Sequence, residues 1–278
     1  MLTTIIPSVT LSKSCWLVFL LTCLLLSGCQ TTPVPSTSVD VVGEISPGSG
    51  FVNGYLERGQ LPDSKALLPQ PPTAGSPEAA ADLATHLSTR KLRGSPRWHQ
   101  AAADNRLIFP AAADPFSCAL GLTINAEETP HLTMLMRRSL LDAALATFGA
   151  KTYYQRQRPF IAFNESTCVP DEEARLSKDG SYPSGHAALG WAWALILTGL
   201  APERADALLK RGFDFGQSRM ICGVHWQSDV DNGRIIGAAV VARLQSDPVF
   251  KAQSEFAQQE IVKSRNSPQS LPPTCNQP

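Results

Sequence analysis

The sequence predicts an all-α protein, a single-domain helical bundle, from three observations. Helix-start signals recur along the chain, including Ser76-Pro77-Glu78 and Thr129-Pro130. Apolar residues after Pro130 repeat at helical spacing. No segment alternates apolar and polar residues as a strand does, and the sequence contains no internal repeat. The 278 residues are enough to bury a sizeable core.

Residues 1–28 are predicted to be a signal peptide of the lipoprotein type. An apolar run over 15–26 (CWLVFLLTCLLL) is too short to span a bilayer comfortably. Ser27 and Gly28 then precede Cys29, a pattern that resembles the bacterial lipoprotein processing box, in which the cysteine is acylated. The alternative is an ordinary cleaved signal followed by a chance cysteine. We expect export to the bacterial periplasm, with a membrane anchor on Cys29.

The predicted elements follow in order along the rest of the chain. Residues 29–60 should be the lipidated cysteine and a flexible tether rich in Pro, Ser, Thr and Gly. The folded domain should span 61–263, with the Pro-rich stretch 61–77 extended over its surface. Residues 264–278 should be a disordered tail. Helices are predicted from Pro77, from Pro130, after Ser184, from Pro202 to about Gly216, from Asp229 to about Leu244, and from Phe250 to Lys263.

Charge and cysteine content narrow the class of protein. Lys plus Arg number 24 and Asp plus Glu number 24, so the formal net charge is zero. The chain therefore lacks the excess of basic residues that is typical of nucleic-acid-binding proteins. No CxxC or HExxH spacing occurs, and we predict no metal site and no cofactor. Four cysteines remain after Cys29, an even number that permits disulfides in three pairings in an exported chain: Cys118, Cys168, Cys222 and Cys275.

One segment supplies two cations, and a second segment supplies backbone N–H donors. Lys151 and Arg158 are seven residues apart, nearly two helical turns, so on one continuous helix they point the same way before Pro159 ends it. Ser184 is a natural helix N-cap, and Gly185 allows a ligand to approach the backbone closely. Free N–H groups and the helix dipole favour an anion there. Taken alone, each segment is also compatible with a solvated helix face or a simple cap.

A third segment adds a cation and an oriented imidazole. Arg219, His225 and Asp229 lie within a dozen residues. A carboxylate that accepts from Nδ1–H leaves Nε2 of the histidine as a directed nucleophile or base. With His186 as a second imidazole, the three segments match the needs of phosphoryl transfer, which depends on placement and on stabilisation of charge. His86, His99 and His131 are expected to have surface or packing roles.

The combined pattern resembles the type 2 phosphatidic acid phosphatase superfamily, which includes vanadium haloperoxidases. The segments GSYPSGH, LKRGFDFGQSRMICGVHWQSDVD and LPDSKALLPQPP are closer still to the bacterial class A non-specific acid phosphatases, which implies their helical fold. Two positions depart from that family: Ala187 stands where threonine is usual, and Val224 where an aromatic residue is common. The signature positions are Lys151, Arg158, Pro159, Pro183, Ser184, Gly185, His186, Ser218, Arg219, His225 and Asp229.

The resemblance implies roles for these residues. His225 would attack phosphorus and form a phosphohistidine, and Asp229 would hold His225. His186 would protonate the leaving alkoxide and then activate water, without a metal ion. An acidic pH optimum would suit a protonated His186. The phosphoryl oxygens would be bound by Lys151, Arg158, Arg219, the Ser184 hydroxyl and the Gly185 N–H.

Several alternatives remain at this point. The leading hypothesis is broad-range hydrolysis of small phosphate monoesters, and an apyrase-like nucleotide phosphohydrolase would use the same site. A lipid phosphatase is disfavoured by the lack of further long apolar runs, and a vanadate peroxidase by the closer acid phosphatase match. A non-catalytic phosphate-binding lipoprotein is the alternative from another class, and a homo-oligomer is left open. Cys168 and Cys222, each near a signature segment, are the favoured disulfide pair.

Overall fold

The computed structural model describes residues 33–266, 271–272 and 275, and it confirms the all-α prediction. Within these residues the chain is helical and contains no strand, apart from one antiparallel bridge between Glu44 and Val52. No helix in this part of the chain has the length and apolarity needed to cross a membrane. The helices are α1 (Val39–Val42), α2 (Ser64–Leu67), α3 (Pro77–Arg90), α4 (Pro96–Ala103), α5 (Asp114–Leu120), α6 (Pro130–Ala146), α7 (Phe148–Tyr154), α8 (Pro159–Ala162), α9 (Glu173–Leu176), α10 (Gly185–Leu200), α11 (Ala205–Ile221), α12 (Gln227–Leu244) and α13 (Pro248–Arg265).

Helix α10 is the centre of the core. It packs against α11 and α12, and α6 covers a further side. Trp193 on α10 is fully buried, and its indole N–H donates to the Met136 carbonyl of α6 at 3.0 Å. Glycines allow the close approach, since a Cβ on Gly212 would collide with Ala194 and one on Gly237 with the backbone of α10. The three long helices α10, α11 and α12 are therefore held close together.

The helix starts predicted at Pro77 and Pro130 agree with the structure, whereas the helices expected from Asp229 and Phe250 begin two residues earlier, at Gln227 and Pro248. Helix α3 begins at Pro77, and the Ser76 hydroxyl accepts from the Ala79 N–H at 3.1 Å. The helix expected from Pro202 begins with a 3₁₀ turn and continues as α11 to Ile221, past the expected end at Gly216. The short helices α4, α5, α8 and α9 were not predicted because they carry too few residues for a periodic pattern, although Ser95-Pro96 before α4 is a start signal like Ser76-Pro77.

The segment predicted as a flexible tether, 29–60, is corrected by the structure in its described part. Val52, Tyr55 and Leu56 are buried. The buried carboxylate of Asp142 on α6 accepts from the backbone N–H groups of Tyr55 at 2.9 Å and Leu56 at 3.1 Å. These contacts join residues more than 80 positions apart, so composition alone could not show them. The signal peptide 1–28 and Cys29 lie outside the described residues.

Two disulfides brace the fold. Cys168 pairs with Cys222, as favoured from the sequence, and Cys118 pairs with Cys275. The second bond corrects the prediction of a disordered tail over 264–278, because it fixes Cys275 to α5, and α13 itself extends to Arg265. The remaining tail residues, apart from 271–272, lie outside the described part of the chain.

Candidate active site

The candidate site lies where several helices begin or end. The Ser184 hydroxyl caps α10 by accepting from the Ala187 N–H at 3.3 Å. The backbone N–H of Ser184 donates to the Asp229 carbonyl at 2.9 Å. That backbone bond ties the start of α10 to the start of α12. A Cβ on Gly185 would meet only Thr147 Oγ1 at 3.7 Å, which leaves the first N–H groups of α10 accessible to a close ligand.

Lys151 and Arg158 converge, although not on one helix. Helix α7 ends at Tyr154, Gln155 is left-handed with φ of 46°, and Arg158 precedes α8 in an extended conformation. The prediction of one continuous helix across them is therefore wrong, and Gln155 is the physical break. Both side chains instead reach the same backbone carbonyl, that of Gly180. Lys151 Nζ donates to it at 2.7 Å, and Arg158 Nη2 donates to it at 3.3 Å.

The Asp179 carboxylate pairs with both of these cations. It lies 3.6 Å from Lys151 Nζ and 3.3 Å from Arg158 Nη2. Burial, with Arg158 next, lowers the pKa of Lys151 to about 8, so this amine is cationic in acid solution. Sequence reasoning missed Asp179, although it directly precedes the segment GSYPSGH.

His225 is held by a carboxylate on one side and a guanidinium on the other. Its Nδ1 lies 3.3 Å from Asp229 Oδ2, and its Nε2 lies 3.1 Å from Arg158 Nη1. Because a guanidinium only donates, Nε2 is the acceptor and Nδ1 carries the proton. The pKa of His225 is held well below its usual value, mainly by burial and next by the charges of Arg158, Lys151 and Arg219. This imidazole is therefore neutral with a lone pair on Nε2.

Arg219 and His186 complete the set of candidate site residues. Arg219 is 1% exposed, and its Nε and Nη1 have no hydrogen-bond partner within the described residues. His186 Nε2 lies 3.4 Å from the Asn105 carbonyl, and its ring stacks over Phe215 at 6.1 Å between centroids. Burial and then Arg219 hold the pKa of His186 well below its usual value. Two unpaired N–H groups on a buried cation are what an anion-binding site needs.

The polar support around the site was largely missed from the sequence. Arg156 Nη1 donates to Asp229 Oδ1 at 2.6 Å, and Arg156 Nη2 donates to Asp82 on α3 at 2.7 Å. Asp104, which follows α4, accepts from the Ser218 hydroxyl at 2.5 Å and also pairs with Arg211. Only Arg156 had a signal in the sequence, as a third cation in the segment that carries Lys151 and Arg158.

His86, His131 and the two departures make packing contacts, whereas His99 is exposed. His86 stacks on Phe163 at 4.7 Å, and His131 stacks on Phe256 at 4.7 Å. Ala187 is fully buried in a cluster with Met220 and Val230. Val224 is also fully buried, and its carbonyl accepts from Arg158 Nη1 at 3.0 Å. Both departures therefore lie in the packing that supports the site.

Comparisons with known proteins show the family of the chain. A model of the PAP2 superfamily matches residues 132–249. The chain is 44% identical to a non-specific acid phosphatase of Providencia stuartii over 231 residues, which cover 81% of this chain and 93% of that protein. This chain belongs to the non-specific acid phosphatases. It is likewise 44% identical to the non-specific acid phosphatase of Salmonella typhimurium over 73% of this chain and 82% of that protein. An acid phosphatase of Zymomonas mobilis is 40% identical over 74% of this chain and 78% of the relative.

The family segment does not include all the residues that support the candidate site of this acid phosphatase. The matched range 132–249 contains every signature position from Lys151 to Asp229. Asp82 and Asp104 lie before it, on or beside α3 and α4, and yet both bond to residues within it. The N-terminal helices therefore belong to the architecture of the site.

Proposed function

We propose that this acid phosphatase hydrolyses small phosphate monoesters through a phosphohistidine on His225, without a metal ion. The observation that carries the proposal is the pair of contacts on the buried imidazole, Asp229 on Nδ1 and Arg158 on Nε2. They leave the Nε2 lone pair facing a cation that an anionic substrate would also bind. A neutral, oriented imidazole of this kind is a nucleophile.

The phosphoryl group is proposed to bind among the buried cations. Lys151, Arg158 and Arg219 are each no more than 5% exposed, and Arg219 supplies two unpaired N–H groups. The Gly185 N–H and the Ser184 hydroxyl proton add donors at the start of α10. These groups would neutralise charge on the equatorial oxygens, a task that metal ions perform in other phosphoryl-transfer enzymes.

The first chemical step forms the N–P bond. His225 Nε2 attacks phosphorus as the bond from phosphorus to the ester oxygen breaks, and His186 gives its proton to the leaving alkoxide. His186 needs that proton beforehand, although its pKa is lowered in the empty site. A phosphate dianion bound beside Arg219 offsets the positive potential and raises the proton affinity of His186. We therefore propose that His186 becomes protonated together with substrate binding.

The second step regenerates His225 and protonates His186, which loses that proton again when phosphate leaves. His186, now neutral, takes a proton from water as the water oxygen attacks phosphorus and the bond to His225 Nε2 breaks. Asp229 stabilises the positive charge that His225 carries while it is phosphorylated, because its carboxylate is fully buried and 3.3 Å from Nδ1. Inorganic phosphate is the product.

The test is turnover of p-nitrophenyl phosphate at acid pH in the presence of EDTA. We expect wild-type turnover to persist with EDTA, and His225→Ala to abolish it. An acid-labile, alkali-stable phosphoenzyme should be trapped in wild type and be absent in His225→Ala. Unchanged turnover in His225→Ala would remove His225 as the nucleophile, and loss of turnover with EDTA would remove metal independence. Phosphate binding without any turnover would favour the non-catalytic binding protein.

The range of substrates is a separate proposal. Rates with phosphate monoesters, nucleoside triphosphates and phosphodiesters should be compared under one set of conditions. We expect monoesters of varied leaving groups to be hydrolysed at similar rates. A strong preference for nucleoside triphosphates would replace this proposal with the apyrase-like one.

We also propose that the protein is exported to the bacterial periplasm and anchored by lipid on Cys29. The apolar run over 15–26 and the small residues before Cys29 support export and lipidation. Two disulfides also support an oxidising compartment. Cys29→Ser should move the protein from the membrane fraction to the soluble periplasmic fraction. A wild-type protein that is already soluble would contradict the lipid anchor.

A further inference from the structure

Asp82 is a buried carboxylate with several directed partners far away in sequence. It stands on the buried face of α3 with His86 and is 3% exposed. Its Oδ1 accepts from the Ser228 N–H at 2.8 Å, and its Oδ2 accepts from the Ser228 hydroxyl at 2.5 Å and from Arg156 Nη2 at 2.7 Å. A buried charge is costly unless it is paired and hydrogen-bonded, and these bonds connect Asp82 to Ser228 at the start of α12 and to Arg156.

Arg156 carries the connection from Asp82 to the site. Its side chain is 13% exposed, and Nη1 donates to Asp229 Oδ1 at 2.6 Å and to the Ser228 hydroxyl at 2.8 Å. The guanidinium also lies over the ring of Trp226 at 5.3 Å. Asp229 thus accepts from Arg156 on one oxygen, while its other oxygen faces His225 Nδ1. The two carboxylates hold the guanidinium from both sides.

We infer that Arg156 and Asp82 are positioning residues for His225: Arg156 orients the Asp229 carboxylate, and Asp82 holds Arg156 in place. The inference rests on the proposed role of His225. Neither residue is among the signature positions, and Asp82 lies outside the family segment 132–249. Arg156 is suited to the task, because a guanidinium stays charged and its fork makes two directed bonds.

The charges around His225 determine how each substitution acts on it. The groups that face it are the cations Arg158, Lys151 and Arg219 and the carboxylate Asp229, with His186 across the site. Arg156 withdraws negative charge from Asp229, so its removal strengthens the hold of Asp229 on a proton at His225. Removal of the Asp82 charge acts in the opposite direction and from farther away. The two substitutions therefore displace the titration of His225 with opposite signs.

The experiment compares Arg156→Met, Arg156→Lys and Asp82→Asn with two matched surface controls, Arg58→Met and Glu78→Gln. For each variant, kcat, KM and the acid limb of kcat/KM are measured with p-nitrophenyl phosphate, together with thermal unfolding. Ionisation of the substrate is the same for all variants and cancels in the comparison. Both controls alter exposed side chains and should behave as wild type.

We expect Arg156→Met to lower kcat by about 10- to 100-fold, the range typical of lost second-layer partners, with little change in KM. The acid limb should move to higher pH in Arg156→Met and to lower pH in Asp82→Asn, and Arg156→Lys should recover part of the rate. Should Arg156→Met fail to fold, two other results decide the question: Arg156→Lys, which keeps the charge, should lose part of kcat with its acid limb near wild type, and Asp82→Asn should move the limb to lower pH.

Two results would overturn the inference. One is wild-type kcat in folded Arg156→Met, and the other is a rate loss with no displacement of the acid limb in any variant, which would indicate a purely structural role. His225→Ala is assayed in parallel. If it retains turnover, the proposed function fails; if it is inactive while Arg156→Met is unaffected, only the positioning role fails.

Discussion

Gly233 lies where α12 crosses the start of α10, and its replacement by alanine tests whether this crossing builds the site. A Cβ at this position would lie 2.5 Å from the Ser184 carbonyl and 2.9 Å from the Ala187 Cβ. Neither atom is the end of a flexible side chain, so the two helices must separate. Overpacking of this kind costs about 1–3 kcal/mol. For a chain of this size that predicts a fall in Tm of about 2–12 °C.

The same substitution should reduce activity, because the crossing also holds the bond from the Ser184 N–H to the Asp229 carbonyl. A displacement of about 1 Å between the groups that bind phosphate and His225 costs on the order of 100-fold in kcat. Calorimetry measures the fall in Tm, and p-nitrophenyl phosphate turnover measures the fall in kcat.

Two alanine variants serve as controls for Gly233→Ala. Gly237→Ala, one turn farther along α12, meets the Ala188 backbone and should lose stability with a smaller loss of kcat. Gly199→Ala has no atom within 4 Å and should gain about 0.5–1 kcal/mol from helix propensity. A Gly233→Ala protein with wild-type Tm and kcat would refute the argument that close helix approach positions the site.

Three further outcomes are expected. Inhibition by inorganic phosphate should weaken above about pH 8, because Lys151, with its pKa lowered to about 8, then loses its charge; an unchanged inflection in Lys151→Met would contradict this. Asp104→Ala removes the acceptor of the Ser218 hydroxyl at 2.5 Å and should raise KM by about ten-fold, whereas an unchanged KM would show that Asp104 gives no support to phosphate binding. Replacing Cys168 and Cys222 together by alanine should lower the free energy of unfolding by about 4 kcal/mol, because the disulfide joins residues 54 positions apart. Urea unfolding curves with the same midpoint and slope as wild type would exclude that contribution.

Local chemistry in the sequence accounts for the parts that could be predicted. Ser76 and Ser184 predict helix starts because a hydroxyl beside the first turn accepts a free N–H, and both do so in the structure. The segments of the candidate site could be recognised because their charged residues and histidines stand at characteristic separations in the sequence. Such features need no knowledge of which helix packs on which.

Features that depend on tertiary packing could not be predicted. The Gln155 break between Lys151 and Arg158 has no strong sequence signal, since a left-handed residue other than glycine is unusual. Asp82 reads as one polar residue on an Ala-rich helix, and its partners are more than 70 positions away. Tyr55 and Leu56 likewise look like linker residues until Asp142 binds their backbone.

The burial of His225 has a consequence for the conditions this enzyme tolerates. An exposed imidazole would become protonated, and lose its lone pair, as the medium falls below about pH 6.5. Burial among three cations keeps His225 neutral well below that point, while the same acidity leaves Lys151 fully charged. The arrangement that would hold a phosphate group therefore also extends the working range of the proposed nucleophile into acid surroundings, where an unshielded histidine would be inactive.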